Sequence, residues 1–397
     1  MHKSYRFKMF RSKRLRRLHQ IISRAGQIWN HSVALHRRYY RMFGKTLPKD
    51  RLQKHLAKLR NRRYAHWQEV GSQSVQAVTD RLYRAWDAYF KKEIKRPPTF
   101  KKSRRYSSFT LKQAGYKLIG HGRVRILGKA YRFNQSRPIL GNVKTLTVRR
   151  DTLGDIYLSF SCEDVPCDEQ STPKTGLAAG HDFGLKHFLT IWVTDTGTST
   201  DGYGRTVNAP QPLKAALKEL RTASRKHSRK SGGSHGREKA RLEVARTHRR
   251  IANVRDDWQW KLARGLSEEF DHLVFEDLNI AAMKELWGRK ISDLGFADFF
   301  KKVRWMTDKL GKKFWKINRW EPTTTPCNRC AHKQDMPLNV RVFVCARCGH
   351  TDDRDFNASK NISEAGRRLW SKATSQTSQE AGSAGVSTPI IAESLAL

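Results

Sequence analysis

Four cysteines stand in two pairs, Cys327-Asn-Arg-Cys330 and Cys345-Ala-Arg-Cys348, with fourteen residues between the pairs. Each pair turns back on itself within two residues, so four thiolates can converge tetrahedrally on one ion. A redox dithiol is the other use of a single Cys-x-x-Cys. Two pairs, with the strand-like run Val340-Arg-Val-Phe-Val344 leading into the second, predict a zinc ribbon instead. With four protein ligands the site is closed, and its zinc is structural rather than catalytic. His332 and His350 lie beside the knuckles, but neither is needed as a ligand. Cys162 and Cys167 read as buried or incidental thiols.

Three carboxylates fall where elements are expected to end. Asp182 lies where a strand meets Gly184, Glu276 closes the run His-Leu-Val-Phe, and Asp355 sits at a helix entrance in DRDFNASKNI. A metal-dependent phosphodiesterase needs carboxylates from separate elements to hold two Mg²⁺ ions about 3.5–4 Å apart. One ion lowers the pKa of the attacking water, and the other stabilises the leaving 3′ oxygen. Taken singly, the acids have plainer readings as a turn residue, a solvated strand end and a helix cap. Spacing alone leaves both open.

The elements that must position these groups can be read from periodicity. Leu15, Leu18, Ile22, Ala25, Trp29 and Val33 recur at helical steps, giving an amphipathic helix from Arg11 to Met42 that Gly44 stops. Leu52, Leu56 and Leu59 begin a second. Val75, Val78, Leu82, Ala85 and Tyr89 mark a third, ended by Pro97-Pro98. The outer faces are nearly all basic, whereas a merely solvated face carries mixed signs. TLTVRRDTLGDIYLSFSCE predicts a β-hairpin turning at Leu153-Gly154-Asp155, and YKLI, RVRIL and YRF add short strands. Gly120-His121-Gly122 precedes a strand rather than a helix, so it is not a phosphate loop. From Gly176 the pattern is mixed α/β. LAAGHDFGLKHFLTIWV gives two antiparallel strands, and residues 213–265 a helical pair split at Ser231-Gly-Gly-Ser234. In that pair Val244, Ile251, Val254, Trp258 and Leu262 should face inward. A helix through Phe296, Phe299, Phe300, Val303 and Leu310 and the strand KFWKINRW follow.

Of 397 residues, 79 are Lys or Arg and 36 Asp or Glu, a formal charge of +43. A compact chain with that self-repulsion calls for a polyanionic partner. Residues 1–60 hold 18 Lys/Arg against one carboxylate, Asp50. With 11 Trp, 11 Tyr and 18 Phe there is enough apolar matter for a core, so a wholly disordered basic chain is excluded. No run approaches the roughly 18 apolar residues of a membrane span. The basic start lacks the apolar segment of a secretory signal, and the sparse cysteines suit a reducing interior. The expectation is a soluble cytoplasmic protein on nucleic acid, with a Ser/Thr/Ala/Gly-rich disordered tail over 371–397.

The sequence resembles the transposon-encoded TnpB family, relatives of compact type V CRISPR effectors with a split RuvC-like nuclease. GHDFGLKHFLT is similar to the first RuvC motif and VFEDLNI to the second. TTTPCNRC…FVCARCGHTDDRDFNASKNI is similar to the ribbon running into the third, and LYRAWDAYFKKEIKRPPTFKK to the helix and proline turn before a β-barrel. The resemblance implies an α/β multidomain chain. Residues 1–10 and 97–175 would form a wedge β-barrel, and 11–96 an inserted α-helical recognition domain. Residues 176–370 would form an RNase H-like RuvC nuclease, with the zinc ribbon at 327–348. It makes Asp182, Glu276 and Asp355 the catalytic, magnesium-binding triad. Asp355 is preferred to Asp353 because it precedes Phe356-Asn357-Ala358. The departures are His181 for a small aliphatic residue, Ser359 for alanine, and Ala331 for the glycine after the first knuckle. Ala331 would be strained if its φ must be positive.

The implied activity is RNA-guided, Mg²⁺-dependent cutting of double-stranded DNA beside a short adjacent motif. The implied partner is a guide RNA, held by a monomer, with no membrane involved. A prokaryotic cytoplasmic location, at the nucleoid when on DNA, goes with it. A compact CRISPR effector would share every motif, and a nuclease-inactive RNA-guided repressor would be expected to lose an acid. An unguided zinc-ribbon DNA-binding protein would need none of the three. Trp67 and Tyr64 read as core rather than as base-stacking platforms.

Overall fold

A computed structural model describes residues 2–166, 172–197, 201–337 and 340–383, and the chain forms two compact units, Met1–Cys167 and Asp168–Leu397. In the first unit β1 (Lys3–Lys8) leads into α1 (Leu15–Phe43), α2 (Lys49–Arg62) and α3 (Ser72–Phe90). Every apolar residue of the α1 stripe is buried, and the helix ends at Gly44, whose φ of 64° lets its N–H reach back to the Tyr40 carbonyl. The third helix stops at Phe90, well before the prolines. Lys91 and Lys92 turn back to Asp87 and Tyr89, and Lys92 takes a φ of 60°. Trp67 is buried, and Tyr64 stacks on it with ring centroids 4.5 Å apart.

The remaining strands are β2 (Ser108–Leu111), β3 (Tyr116–Leu118), β4 (Arg123–Ile126), β5 (Lys129–Arg132), β6 (Asn142–Arg150) and β7 (Ile156–Glu163). They form a sheet in the order β1-β7-β6-β2 and a smaller one in the order β3-β4-β5, joined by a Met9–Phe133 bridge. β7 alternates strictly, with Ile156, Leu158, Phe160 and Cys162 inward. Phe7, Phe133 and Phe160 meet between the sheets. Cys162 is thus a core thiol; Cys167 lies outside the described residues.

The second unit begins with β8 (Leu177–Asp182), β9 (Leu189–Asp195) and β10 (Gly202–Val207). The long helices α4 (Pro212–Ser228) and α5 (His235–Glu269) follow, then β11 (His272–Glu276), α6 (Ile280–Leu294), α7 (Phe296–Lys309) and β12 (Lys313–Ile317). The strands make one sheet in the order β10-β9-β8-β11-β12, antiparallel through β8 and parallel from β8 to β12. The ribbon contributes β13 (Val342–Val344) and β14 (Thr351–Asp353), and α8 (Arg354–Ser383) closes the unit. On α5 the inward row is Thr247, Ile251, Gln259, Ala263 and Leu266, while Val254, expected inside, is exposed. The expected disordered tail is helical over its first thirteen residues, 371–383, as a continuation of α8, and 384–397 lie outside the described residues.

Strand alternation sorts the sheet into two faces. Ala178, Val274 and Ile317 pack under α8 with Ile362 and Ala365. Ala179, Leu273 and Phe275 meet Ala263, Leu266, Phe299 and Val303 on the other side. The helix lies directly on the sheet because Gly180 has no side chain: a Cβ there would overlap the Ser359 carbonyl oxygen. Ser359 is fully buried and satisfies its hydroxyl on the Phe356 carbonyl at 2.9 Å, so it fills an alanine's place without an orphaned polar group.

Candidate active site and metal centre

The face under α8 carries the acids. In β8 the residues Ala178, Gly180 and Asp182 share it, and in β11 so do Val274 and Glu276. The two strands are parallel neighbours with Phe275 opposite His181, so Glu276 follows at the level of Asp182. Asp355 is the second residue of α8, where the helix begins over that edge, and its carboxylate lies beside Gly184. Burial first, then the Asp355 and Glu276 charges, push the Asp182 carboxyl up to about 8. Burial also raises Glu276, against a hydrogen bond with Thr323.

Hard carboxylate oxygens gathered at one edge, with the Asp182 carboxyl held up by its neighbours' charge, are a donor set suited to Mg²⁺. Among the described residues the three share an edge without forming a cluster of atoms at ligating distance, which only the cysteines do. Asp277, next to Glu276, is taken by Lys316 at 2.6 Å and Arg319 at 3.3 Å, which lower its pKa. Asp353 caps α8: its Oδ1 accepts from the N–H groups of Asp355 at 2.9 Å and Phe356 at 3.3 Å. Asp355 is left facing Arg341 and Arg354 at 3.8 and 3.6 Å. His181 points to the opposite face. It lies against Phe275 with centroids 4.4 Å apart and bonds the Val274 carbonyl, and burial drives its pKa down to about 3.

Cys327, Cys330, Cys345 and Cys348 have all four sulfurs within 4.8 Å of one another, with Cys327–Cys348 at 3.8 Å and Cys330–Cys345 at 3.6 Å. Zinc–sulfur bonds of about 2.3 Å in a tetrahedron put the sulfurs about 3.8 Å apart, so the set fits zinc. The two knuckles repeat one pattern. Cys327 N–H reaches the His332 carbonyl and Ala331 N–H the Cys327 carbonyl; Cys345 and Gly349 do the same with His350 and Cys345. Gly349 has φ 68° and Ala331 φ 59°, so the substituted position does require the left-handed conformation. Backbone N–H groups, Cys348's first, bring the Cys345 thiol down to about 6. Both histidines stay outside the cluster.

The residues that join ribbon and acids were not legible as functional. Asn357 is fully buried; its amide donates to the Pro326 carbonyl and its oxygen accepts from the backbone and side chain of Asn328, all at 2.9 Å. Asn361 donates to the carbonyls of Thr323 and Pro326 at 2.8 Å. Asp352 receives Asn328 at 3.1 Å and Lys360 at 2.7 Å. The only sequence signal for these was their place in the third motif.

These features define an α/β protein with a Cys₄ ribbon beside an acid-bearing sheet edge. A family model described as "Probable transposase" (OrfB_IS605) matches residues 159–286, and one described as "Cas12f1-like, TNB domain" matches residues 296–362. A Streptomyces pristinaespiralis protein named "Putative RNA-guided DNA endonuclease" is 31% identical over 307 residues, covering 75% of this chain and 72% of the relative. The Escherichia coli K12 protein InsQ, with the same description, is 27% identical over 86% of each chain. "TnpB-like protein L770" of Acanthamoeba polyphaga mimivirus is 25% identical, and the chain spans about half of it, 47%. Among solved structures, the mini-RNA-guided endonuclease CRISPR-Cas_phi3 aligns over 92% of both chains at 10% identity and a TM-score of 0.47. The chain belongs to the TnpB family of RNA-guided DNA endonucleases.

Proposed function

We propose that the protein is a transposon-associated, RNA-guided DNA endonuclease in which Asp182, Glu276 and Asp355 form a RuvC-type site. The observation that carries this is the gathering of three acids at one sheet edge, where Asp182 is pushed up to about 8 by burial and by the charges of Asp355 and Glu276. That much like charge in one place is stable only when protonated or when a cation is bound. The three acids would hold Mg²⁺, which when bound supplies Lewis-acid activation of water and stabilisation of the leaving 3′ oxygen. The protein's own part is placement. Parallel strands fix Asp182 and Glu276 at one level, Thr323 orients Glu276, and the Asp353 cap fixes the first turn of α8 that carries Asp355. The cysteines would hold one structural zinc and anchor that turn through Asn328 and Asn357.

In this reading residues 1–10 and 97–175 are the wedge barrel, 11–96 the recognition helices, and 176–370 an RNase H-like nuclease with its ribbon. Base pairing with a guide RNA selects the target while the protein holds backbone and duplex shape. The assembly is a monomer with its RNA, in the prokaryotic cytoplasm. Given guide, matched DNA and Mg²⁺, wild type should cut both strands. Asp182→Ala, Glu276→Ala and Asp355→Ala should each bind target and fail to cut. Binding without cutting by the wild type itself would favour the repressor. The match of 296–362 to the "Cas12f1-like, TNB domain" supports a compact CRISPR effector as the second reading. Sequencing the co-purified RNA separates the two: a transposon-end transcript or a CRISPR repeat.

A further inference from the structure

In the first unit a cavity of about 500 Å³ opens beside the start of α1 and the β4–β5 hairpin, lined by Phe10, Arg11, Arg14, Arg123 and Arg132. Its charge is one-sided. Arg123 and Arg132 are direct cross-strand partners, and like charges so placed destabilise a sheet. Arg11 is paired with Asp155 at 2.9 Å, but among the described residues Arg14, Arg123 and Arg132 have no carboxylate partner. The positive end of the 29-residue α1, with no acidic residue in its first turn, adds to the same field. Arg17 fixes that end over the hairpin turn with two bonds of 3.1 Å to the Leu127 carbonyl. Phe10 is 52% exposed with the Arg132 guanidinium 5.6 Å from its ring centre, leaving an open aromatic face beside the free cations.

We propose that this cavity holds one splayed-out nucleotide of the guide RNA, its base stacked on Phe10 and its flanking phosphates on Arg14, Arg123 and Arg132. The proposal rests on the RNA-guided reading above and adds a defined anchoring site to it. The volume lies within the roughly 300–1,000 Å³ of small-ligand pockets. An aromatic face ringed by arginines is the chemistry that takes a base and its phosphates together. RNA is favoured over target DNA because loops and ends of RNA present unstacked bases, whereas a duplex must first be opened to do so.

The test uses the full chain purified with its own RNA and irradiated with ultraviolet light. The peptide containing Phe10 should carry a ribonucleotide from one RNA position. Phe10→Ala should weaken RNA binding about 5- to 100-fold, the worth of one stacked base. Arg123→Ala/Arg132→Ala should reduce the salt-dependence slope by about 1.4, two single-strand phosphates. Zinc content should match wild type, and melting temperature should be no lower, rising where the facing arginines are removed; if a variant misfolds, the wild-type crosslink still decides. A discrete RNA crosslinked elsewhere but never at Phe10, with unchanged variant affinities, overturns the pocket and leaves the RNA-guided reading standing. A deoxyribonucleotide there, in complexes with target DNA, overturns it in favour of DNA. Wild type that carries no discrete RNA overturns both.

Discussion

Asp182 sits where its ionised form is disfavoured, and that gives a measurable pH dependence. In Mg²⁺-free buffer the folded chain keeps the Asp182 proton up to about pH 8, whereas the unfolded chain releases it near the ordinary aspartate value of 3.8. Between those values the native state binds more protons, so this residue's contribution to stability falls as pH rises. Asp182→Asn removes the dependence. Its melting temperature relative to wild type should therefore climb from pH 5 to pH 8, as thermal denaturation would show; a gap that stays flat would mean that neither burial nor the neighbouring acids disfavour the Asp182 charge. Asp353 is one turn-start away yet does a different job. Asp353→Ala loses a helix cap, costing about 1 kcal/mol, and should keep measurable cutting where Asp355→Ala keeps none. At Ala331 a left-handed residue with a Cβ costs about 1 kcal/mol relative to glycine. Ala331→Gly should then resist zinc chelation at higher chelator concentration than wild type, read from zinc release.

At the level of elements, α8 depends on two supports, a bare strand beneath it and the ribbon at its start. Gly180→Ala would drive a Cβ into the Ser359 backbone, which cannot swing aside as a side chain can. The helix would have to lift, costing about 1–3 kcal/mol, and cutting should fail while RNA binding through the first unit persists. Cys345→Ser removes a ligand from the other support. Zinc content should drop to near zero, and the Asn328–Asn357 bonds that hold the first turn of α8 should go with it. Hydrogen exchange would show new exposure over 351–362; protection as in wild type would mean the ribbon and the acid-bearing turn are independent.

For the whole molecule, the charge of +43 and the helix that runs to Ser383 set the expectations. RNA binding should weaken steeply with added salt as counterions are released. Trp370 packs with Val274 and Ile317 under the sheet, so a chain ended after Leu369 would lose a buried anchor. Loss of a buried Trp costs about 3–5 kcal/mol, so that truncation should melt earlier and cut poorly. A chain ended after Ser383 keeps the anchor and the described helix, and should match wild type in both.

By itself the sequence determined the parts whose cause is local. The α1 stripe, the β6–β7 hairpin and the alternation of β7 follow from period and turn residues, and the two Cys-x-x-Cys knuckles from spacing that closes on itself. Motif order named the three acids. Their meeting depended on the strand order that sets β8 beside β11 and on α8 crossing the same face, contacts between segments far apart in the chain. The helix beyond 370 leaves no apolar period in the sequence because its residues are weakly apolar, and on α5 Val254 fits the period yet faces solvent. The links through Asn357, Asn361, Thr323 and Asp352 were invisible too. A polar side chain shows its purpose only when folding brings its partner within hydrogen-bonding reach, and that is a property of the tertiary structure alone.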